Sequence, residues 1–551
     1  MIRSGHVDTF ARDRLPPPEQ WPELVFDLPE LAYPARLNAA VELVDRAVQR
    51  GAGDRTAIVA PGHARWTYAE LAARTNRIAR VLVEDLGLVP GNRVLLRAPN
   101  TPMHAACWLA VVKAGGIAVG SMPLLRAREL ATIVQKAAIT HALCDARLGD
   151  ELALAQAESP TLTRVAHFGD GESDAWFDRA LAGKPPAFVA ADTAQDDVAL
   201  IAFTSGTTGT PKGTMHFHRD LLAICDCWPR ACLRATADDL FTGSPPLAFT
   251  FGLGGLLLFP LRIGAATLLL EKTAPDALLP AIAEHRASVL FTAPTSYRAM
   301  AASASKHDLA SLRKCVSAGE PLPAATRALW KEATGIEIID GIGSTEMLHI
   351  FISHTEADAR PGATGKPVPG YRACVVDADG RPVPAGHIGR LAVKGPTGCR
   401  YLNDERQRQY VQHGWNLTGD AYLVDGDGYF VHQARTDDMI ISAGYNIAGP
   451  EVEGALLLHP AVAECGVIGV PDEERGQIVK AFVVLKGDAD ASDALSRELQ
   501  DFVKRTIAPY KYPRAIEYLR TLPRTETGKL QRFRLRQMQA ERAARGREGA
   551  P

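Results

Sequence analysis

Val198-Ala199-Leu200-Ile201-Ala202-Phe203 is a continuous apolar run that passes without a break into Thr204-Ser205-Gly206-Thr207-Thr208-Gly209-Thr210-Pro211-Lys212-Gly213. The first segment reads as a buried strand. The second must turn at once, and its glycines allow tight backbone turns that aim N–H groups at an anion. Five hydroxyl side chains between Thr204 and Thr210 add donors, and Lys212 adds positive charge. This chemistry suits the phosphates of a nucleotide. It is not a Walker loop, because Pro211 stands where that pattern needs Gly before Lys. Taken alone, the run reads equally as a flexible surface loop.

The rest of the chain sets limits. A length of 551 residues requires more than one core. From about Leu37 to Leu423, strand-like apolar runs alternate with longer amphipathic segments, the pattern of α/β layers. Arg93–Leu96, Met103–Lys113 and Gly116–Val119 are one such set, and Ala266–Leu270 and Ala287–Phe291 are later strands. After Arg435-Thr436-Asp437-Asp438 the pattern predicts a helix over Pro450–Leu458 and strands over Ala463–Val470 and Val479–Leu485. A helix over Asp493–Thr506 and a strand over Arg514–Leu519 follow, together the size of one small domain. The residues from Gln537 to Pro551 are expected to fray.

A net charge of -2 gives no argument for nucleic acid or an anionic membrane as partner. The longest apolar stretch, Phe251–Leu261, is too short to span a bilayer, and the polar N-terminus carries no secretory signal, so no membrane insertion is expected. Nine scattered cysteines, with Cys225 and Cys227 lacking a second pair at metal-ligand spacing, read as reduced thiols of a cytoplasmic protein.

Further segments narrow the function. Ser317-Ala318-Gly319-Glu320-Pro321 follows an apolar run, and Asp340-Gly341-Ile342-Gly343-Ser344-Thr345-Glu346 follows another. Thr418-Gly419-Asp420 precedes Gly428-Tyr429-Phe430, and Pro523-Arg524-Thr525-Glu526-Thr527-Gly528-Lys529-Leu530 stands near the end. With Trp66–Leu71 and the 204–213 run, in this order, they resemble the adenylate-forming superfamily of acyl-CoA synthetases, adenylation domains and luciferases.

The resemblance implies an α/β fold: a large multi-sheet α/β domain over 1–434, a hinge at 435–438, and a small mobile α+β domain over 439–551. It also implies two steps. A carboxylate attacks the α-phosphate of ATP with Mg2+, and coenzyme A then displaces AMP. Thr204, Ser205, Gly206, Thr207, Thr208, Gly209 and Lys212 match the pyrophosphate-holding loop. Thr345 and Glu346 match the α-phosphate and metal positions, and a carboxylate suits a hard cation. Asp420 and Arg435 match the ribose-holding residues. Gly319, Glu320, Pro321, Asp340, Gly341 and Ile342 match the adenine side; Ile342 stands where the family often has Tyr, which replaces stacking by aliphatic packing. Lys529 matches the mobile catalytic cation. Asp437 matches the hinge residue, and Gly444 and Tyr445 the segment beside the pantetheine tunnel. Ile441 stands where many members carry Lys, and no role is assigned to it.

The acid pocket implied by the resemblance is lined by Phe249, Phe251, Gly252, Ala318, Ile342 and Gly343, with no acidic residue to pair an ammonium. The runs Phe249–Gly254 and Asp340–Phe351 look most like benzoate-type CoA ligases, and Thr242–Leu247 with Met215–Asp220 leans towards 2-aminobenzoate. The expected substrate is a small aromatic carboxylic acid. A medium-chain fatty acyl-CoA ligase and a silent binding protein on the same fold are the alternatives, the latter at odds with intact Lys529, Glu346 and Asp420. Plain core packing is the other reading of Phe249 and Phe251, and His218 and His349 are expected to satisfy core hydrogen bonds. A homodimer is compatible with all of this. The hinge reading predicts that Asp437→Pro traps one domain arrangement and spares one half-reaction; unchanged overall turnover would place the hinge elsewhere.

Overall fold

The computed structural model describes the whole chain except residues 1, 63–64, 170–175, 205–210, 436–437, 443–444, 473–474, 488–489, 525–528 and 549–551. The apolar run from Val198 forms the strand Val198–Thr204. It lies in a six-stranded sheet beside Ile117–Ser121, with Arg93–Arg97, His141–Asp145 and Arg164–Phe168 beyond. These five run parallel; the sixth, Lys212–Phe217, returns antiparallel to Val198–Thr204. A nine-stranded sheet is parallel from Ile338–Gly343 through Lys314–Ser317, Val289–Thr292, Leu240–Gly243 and Ala266–Leu268 to Thr56–Val59. Antiparallel strands close both of its edges.

Helices cover these sheets as the alternation requires. Pro102–Lys113 is apolar on almost every side and is accordingly buried between layers. Its start is set by Thr101, whose hydroxyl accepts from the His104 N–H, and by proline at the first turn. Phe251–Leu261, too short for a membrane, lies inside a continuous helical stretch from Thr250 to Ile263 packed in the main core. No helix among the described residues is long and apolar enough to cross a bilayer. All nine cysteines are free, and eight are buried.

An antiparallel five-stranded sheet completes the large domain, where Trp415–Val424 pairs with Phe430–Arg435. The small C-terminal domain has its own core. The antiparallel strands Val462–Asp472 and Gly476–Leu485, with Ala515–Tyr518 parallel to the second, pack on the helices Gly449–Leu456 and Asp493–Thr506. Sequence patterning places these elements within a few residues. The C-terminus differs from expectation: Arg532–Glu548 is helical, as its run of Arg, Gln, Glu and Ala allows.

Candidate active site

In open α/β sheets, ligands bind where parallel strands end. Here Val198–Thr204, Lys314–Ser317 and Ile338–Gly343 bring Thr204, Ala318–Pro321 and Asp340–Glu346 to such ends. Ser205, Gly206, Thr207, Thr208 and Gly209 lie outside the described residues, but both stems of their loop are placed by the pairing of Thr204 with Lys212. The Thr204 hydroxyl is buried with no hydrogen-bond partner among the described residues. A buried, unmatched hydroxyl is costly unless a ligand or water meets it.

Lys212 donates to the Tyr401 hydroxyl at 2.9 Å and stands 3.7 Å from the Glu346 carboxylate. Tyr401 donates to that carboxylate at 2.5 Å. Burial, and then the Glu346 charge, push the Tyr401 hydroxyl far above its usual pKa, so it remains a donor. The three residues form a cation–hydroxyl–carboxylate chain. Tyr401 carries no sequence signal of its own: it is one tyrosine in a polar stretch, and only its spatial position marks it. The Thr345 carbonyl accepts from His216 at 2.8 Å.

Gly319 has a left-handed φ of 89°. A side chain there would reach within 3.4 Å of Lys529 Cε, so the small domain delivers Lys529 directly over this backbone. Burial lowers the Lys529 pKa and Arg435 acts the same way, while Glu320 and Asp420 raise it. Solvent still reaches the side chain, which is exposed although protein surrounds it on several sides. Burial likewise raises the Glu320 pKa, opposed by Arg524 and Lys529. Arg524 spans the two domains, 3.8 Å from Glu320 and 2.8 Å from Glu464.

Asp420 and Arg435 are paired across their strands, with a 3.1 Å contact between the side chains. Gly419, at φ 77°, leaves the space that the Arg435 guanidinium fills. Asp437 and Gly444 lie outside the described residues. Tyr445 begins a short strand, Tyr445–Ile447, paired with Ile440–Ser442. Asp438, next to the expected hinge, is ion-paired with Arg536 of the last helix.

The residues expected to line an acid pocket stand in apolar surroundings. Phe251 lies 5.6 Å from Phe291 and 5.7 Å from His349 between ring centroids, and Phe259 meets His349 edge-on at 4.5 Å. Gly254 and Gly255 admit these rings, since a Cβ would fall 2.4 Å from His349 and 2.5 Å from Phe291. Phe249, Phe251 and Ile342 are half-buried, Ala318 and Gly252 are buried, and Gly343 is exposed. Ile342 packs on the core, as an aliphatic residue should. His218 does satisfy a core bond, its Nδ1 accepting from the Ala39 N–H at 3.1 Å. His349 is held more loosely: neither buried ring nitrogen has a partner of good geometry among the described residues, and the Phe251 backbone is the group near enough to raise its pKa by hydrogen bonding. Burial lowers its pKa to about 3, so the ring is neutral at physiological pH.

The comparisons with known proteins agree with this geometry. The model of the AMP-binding enzyme family matches residues 44–401, and that of the AMP-binding enzyme C-terminal domain matches 451–529. The chain belongs to the AMP-binding enzyme family. Within that adenylate-forming family it falls among the AMP-forming acid-CoA ligases. Benzoate–CoA ligase of Thauera aromatica is 37% identical over 92% of this chain and 97% of its own. The 4-hydroxybenzoate–CoA/benzoate–CoA ligase of Rhodopseudomonas palustris is 34% identical over 91% of this chain and 94% of its own. The crystal structure of the anthranilate CoA ligase AuaEII in complex with anthranoyl-AMP superposes with a TM-score of 0.89 at 36% identity, covering 94% of this chain and all of that one.

The family's Asp340 position has an electrostatic consequence here. Burial raises the Asp340 pKa to about 7, opposed by Arg327 and by the Gly341 N–H. A carboxyl raised from 3.8 to about 7 stabilises the fold fully below pH 3.8, and that contribution is lost as pH rises towards 7. Asp340→Asn mimics the protonated form. Its unfolding midpoint should therefore gain on wild type steadily between pH 4 and 7; parallel curves across that range would contradict a neutral Asp340.

Proposed function

We propose that this chain is an ATP-dependent aryl-CoA ligase. It joins a small aromatic acid to AMP, releasing pyrophosphate, and then passes the acyl group to coenzyme A, releasing AMP. The observation that carries the reading is Lys529, held by the small domain over Gly319 and within the electrostatic reach of Glu320, Asp420 and Arg435.

The difficulty of the first step is charge: a carboxylate must approach a polyphosphate. Lys212 and the 204–209 loop hold the β- and γ-phosphates and the departing pyrophosphate. Thr345 holds the α-phosphate. Glu346 with substrate phosphate oxygens is a donor set that suits Mg2+, which would screen phosphate charge when bound. Lys529 lies between the acid's carboxylate and the α-phosphate; the carboxylate oxygen bonds to phosphorus as the bond to pyrophosphate breaks. Asp420 and Arg435 orient the ribose, and Gly319–Pro321 with Asp340–Ile342 wall the adenine. In the second step the thiolate of coenzyme A bonds to the acyl carbon as the bond to AMP breaks. For this the small domain, 439–551, turns about 435–438 with Asp437 as pivot, taking Lys529 out and bringing Gly444 and Tyr445 to the pantetheine. The acid sits among Phe249, Phe251, Gly252, Ala318, Ile342 and Gly343. We place the protein in the cytoplasm, where its nine free thiols persist.

Two features favour a flat acid over a linear one. Phe251, Phe259, Phe291 and His349 close the pocket where an alkyl chain needs depth. Named relatives of comparable length act on benzoate, 4-hydroxybenzoate and anthranilate. The buried His349 ring, with at most a loose hydrogen bond to the Phe251 backbone, has a nitrogen left to meet a ring substituent, which supports 2-aminobenzoate as the finer reading. AMP and thioester formation with benzoate, 2-aminobenzoate, hexanoate and an α-amino acid tests this. The aryl acids should give thioester; thioester from hexanoate alone would overturn the proposal. Lys529→Ala should slow adenylation by about 10²- to 10³-fold and still convert supplied aryl-adenylate and coenzyme A to thioester. Equal loss of both half-reactions would show that Lys529 has another role.

A further inference from the structure

The turn that carries Thr345 and Glu346 is held from outside. Thr345 O accepts from the Leu348 N–H at 3.2 Å, closing the turn, yet Leu348 has φ 70°, in the left-handed region that a leucine avoids. A turn with an unfavourable residue at its close does not keep its own shape unless its surroundings enforce it. The same carbonyl takes a second hydrogen bond, from His216 Nε2 at 2.8 Å.

His216 packs beside a buried ion pair, just outside hydrogen-bond reach of it. Its Nδ1 lies 3.9 Å from Asp220 Oδ2. That oxygen accepts from Arg400 at 2.8 Å and from the Phe217 N–H at 3.0 Å. His216, Asp220 and Arg400 are all fully buried. Burial alone would raise the Asp220 pKa, but Arg400, His216 and Arg219 together outweigh it and lower the pKa. Arg400 also lies over the Phe217 ring at 4.0 Å, which leaves it little freedom to shift. Two further donors of Arg400, Nε and Nη2, have no partner, so the Asp220 contact is its main electrostatic anchor. On the strand Lys212–Phe217 the pleat sends residues 212, 214 and 216 to one side. Lys212 thus meets the Glu346 side chain while His216 meets the preceding carbonyl.

We propose that His216 is a positioning residue for adenylation: through its hydrogen bond to the Thr345 carbonyl it sets the peptide that aims Thr345 and Glu346, and Asp220–Arg400 keeps its ring in place. It touches no reacting atom. The inference rests on the ligase reading. A displacement of about 1 Å at such a site costs on the order of 10²-fold in rate.

The experiment compares His216→Met, which fills the space without a donor, with His216→Gln, whose amide can reach the same carbonyl. Adenylation and thioester formation from supplied aryl-adenylate are measured separately, on whichever acid wild type activates. His216→Met should lower kcat for adenylation by about 10- to 100-fold. The KM for the acid and the second half-reaction should each move less than about threefold, since neither depends on the aimed peptide. His216→Gln should recover most of the loss. Wild-type adenylation in His216→Met, or equal slowing of both half-reactions with no rescue by Gln, would overturn the assignment. If the Met variant does not fold, His216→Asn replaces it. Its amide stops one methylene short, so adenylation should fall well below that of the Gln variant; equal rates would overturn the assignment. A wild-type chain that activates only a non-aromatic acid would instead overturn the substrate reading, and the variants remain comparable on that acid.

Discussion

The strand Lys212–Phe217 is paired on both sides, and the cleft depends on that double ladder. On one side it is antiparallel to Val198–Thr204, with Thr204 opposite Lys212. On the other, Met215 donates to the Arg400 carbonyl and Leu402 to the Gly213 carbonyl, each at 2.8 Å. Two ladders leave the register no freedom. A slip by one residue would turn Lys212 and His216 away from Glu346 and the Thr345 carbonyl and put Met215 and Phe217 in their place. The apolar residues of the strand therefore protect the placement of its polar ones: Met215 and Phe217 are buried in a core cluster. Burial of these two side chains, each worth about 1.5–3 kcal/mol, is what keeps the lysine at the mouth of the loop.

Around this rigid strand the charges are arranged by contrast in burial. Glu346 is buried and already has Tyr401 and Lys212 as partners. Glu320, Asp420, Arg435 and Lys529 stand closer to solvent, and the first three act on the Lys529 charge. The inner set belongs to the large domain alone. The outer set mixes residues of both domains, and Arg524 spans them. A rotation of the small domain would rebuild the outer set and leave the inner one untouched. This division is what a reaction in two steps on a common adenylate needs.

Much of this was legible beforehand, for identifiable reasons. Elements with a strong period were placed closely: Asp493–Thr506 is an amphipathic helix over the residues expected, and the run at Val198 is a strand. Of the residues singled out by the motifs, Gly319, Asp420, Arg435 and Lys529 stand near one another. What could not be read was partnership at long range. Tyr401, 189 residues from Lys212 and 55 from Glu346, joins them only after folding. Arg400, 180 residues from Asp220, is an exposed type of residue by composition and a fully buried one in fact. His349 was expected to be satisfied because buried histidines usually are, but it is packed among aromatic rings, and the Phe251 backbone offers it only a loose hydrogen bond.

The helix that backs the acid pocket presents Gly252, Gly254 and Gly255, where an added carbon would collide with Pro246, His349 and Phe291. That wall has no side chain to shorten and no room for one to lengthen. The pocket can thus be remodelled in one direction only. Trimming the opposing rings would admit bulkier acids, whereas narrowing it from the helix side would break the packing before it excluded a ligand. Descendants of this sequence have an open route towards larger substrates, and for smaller ones they must look to a different wall.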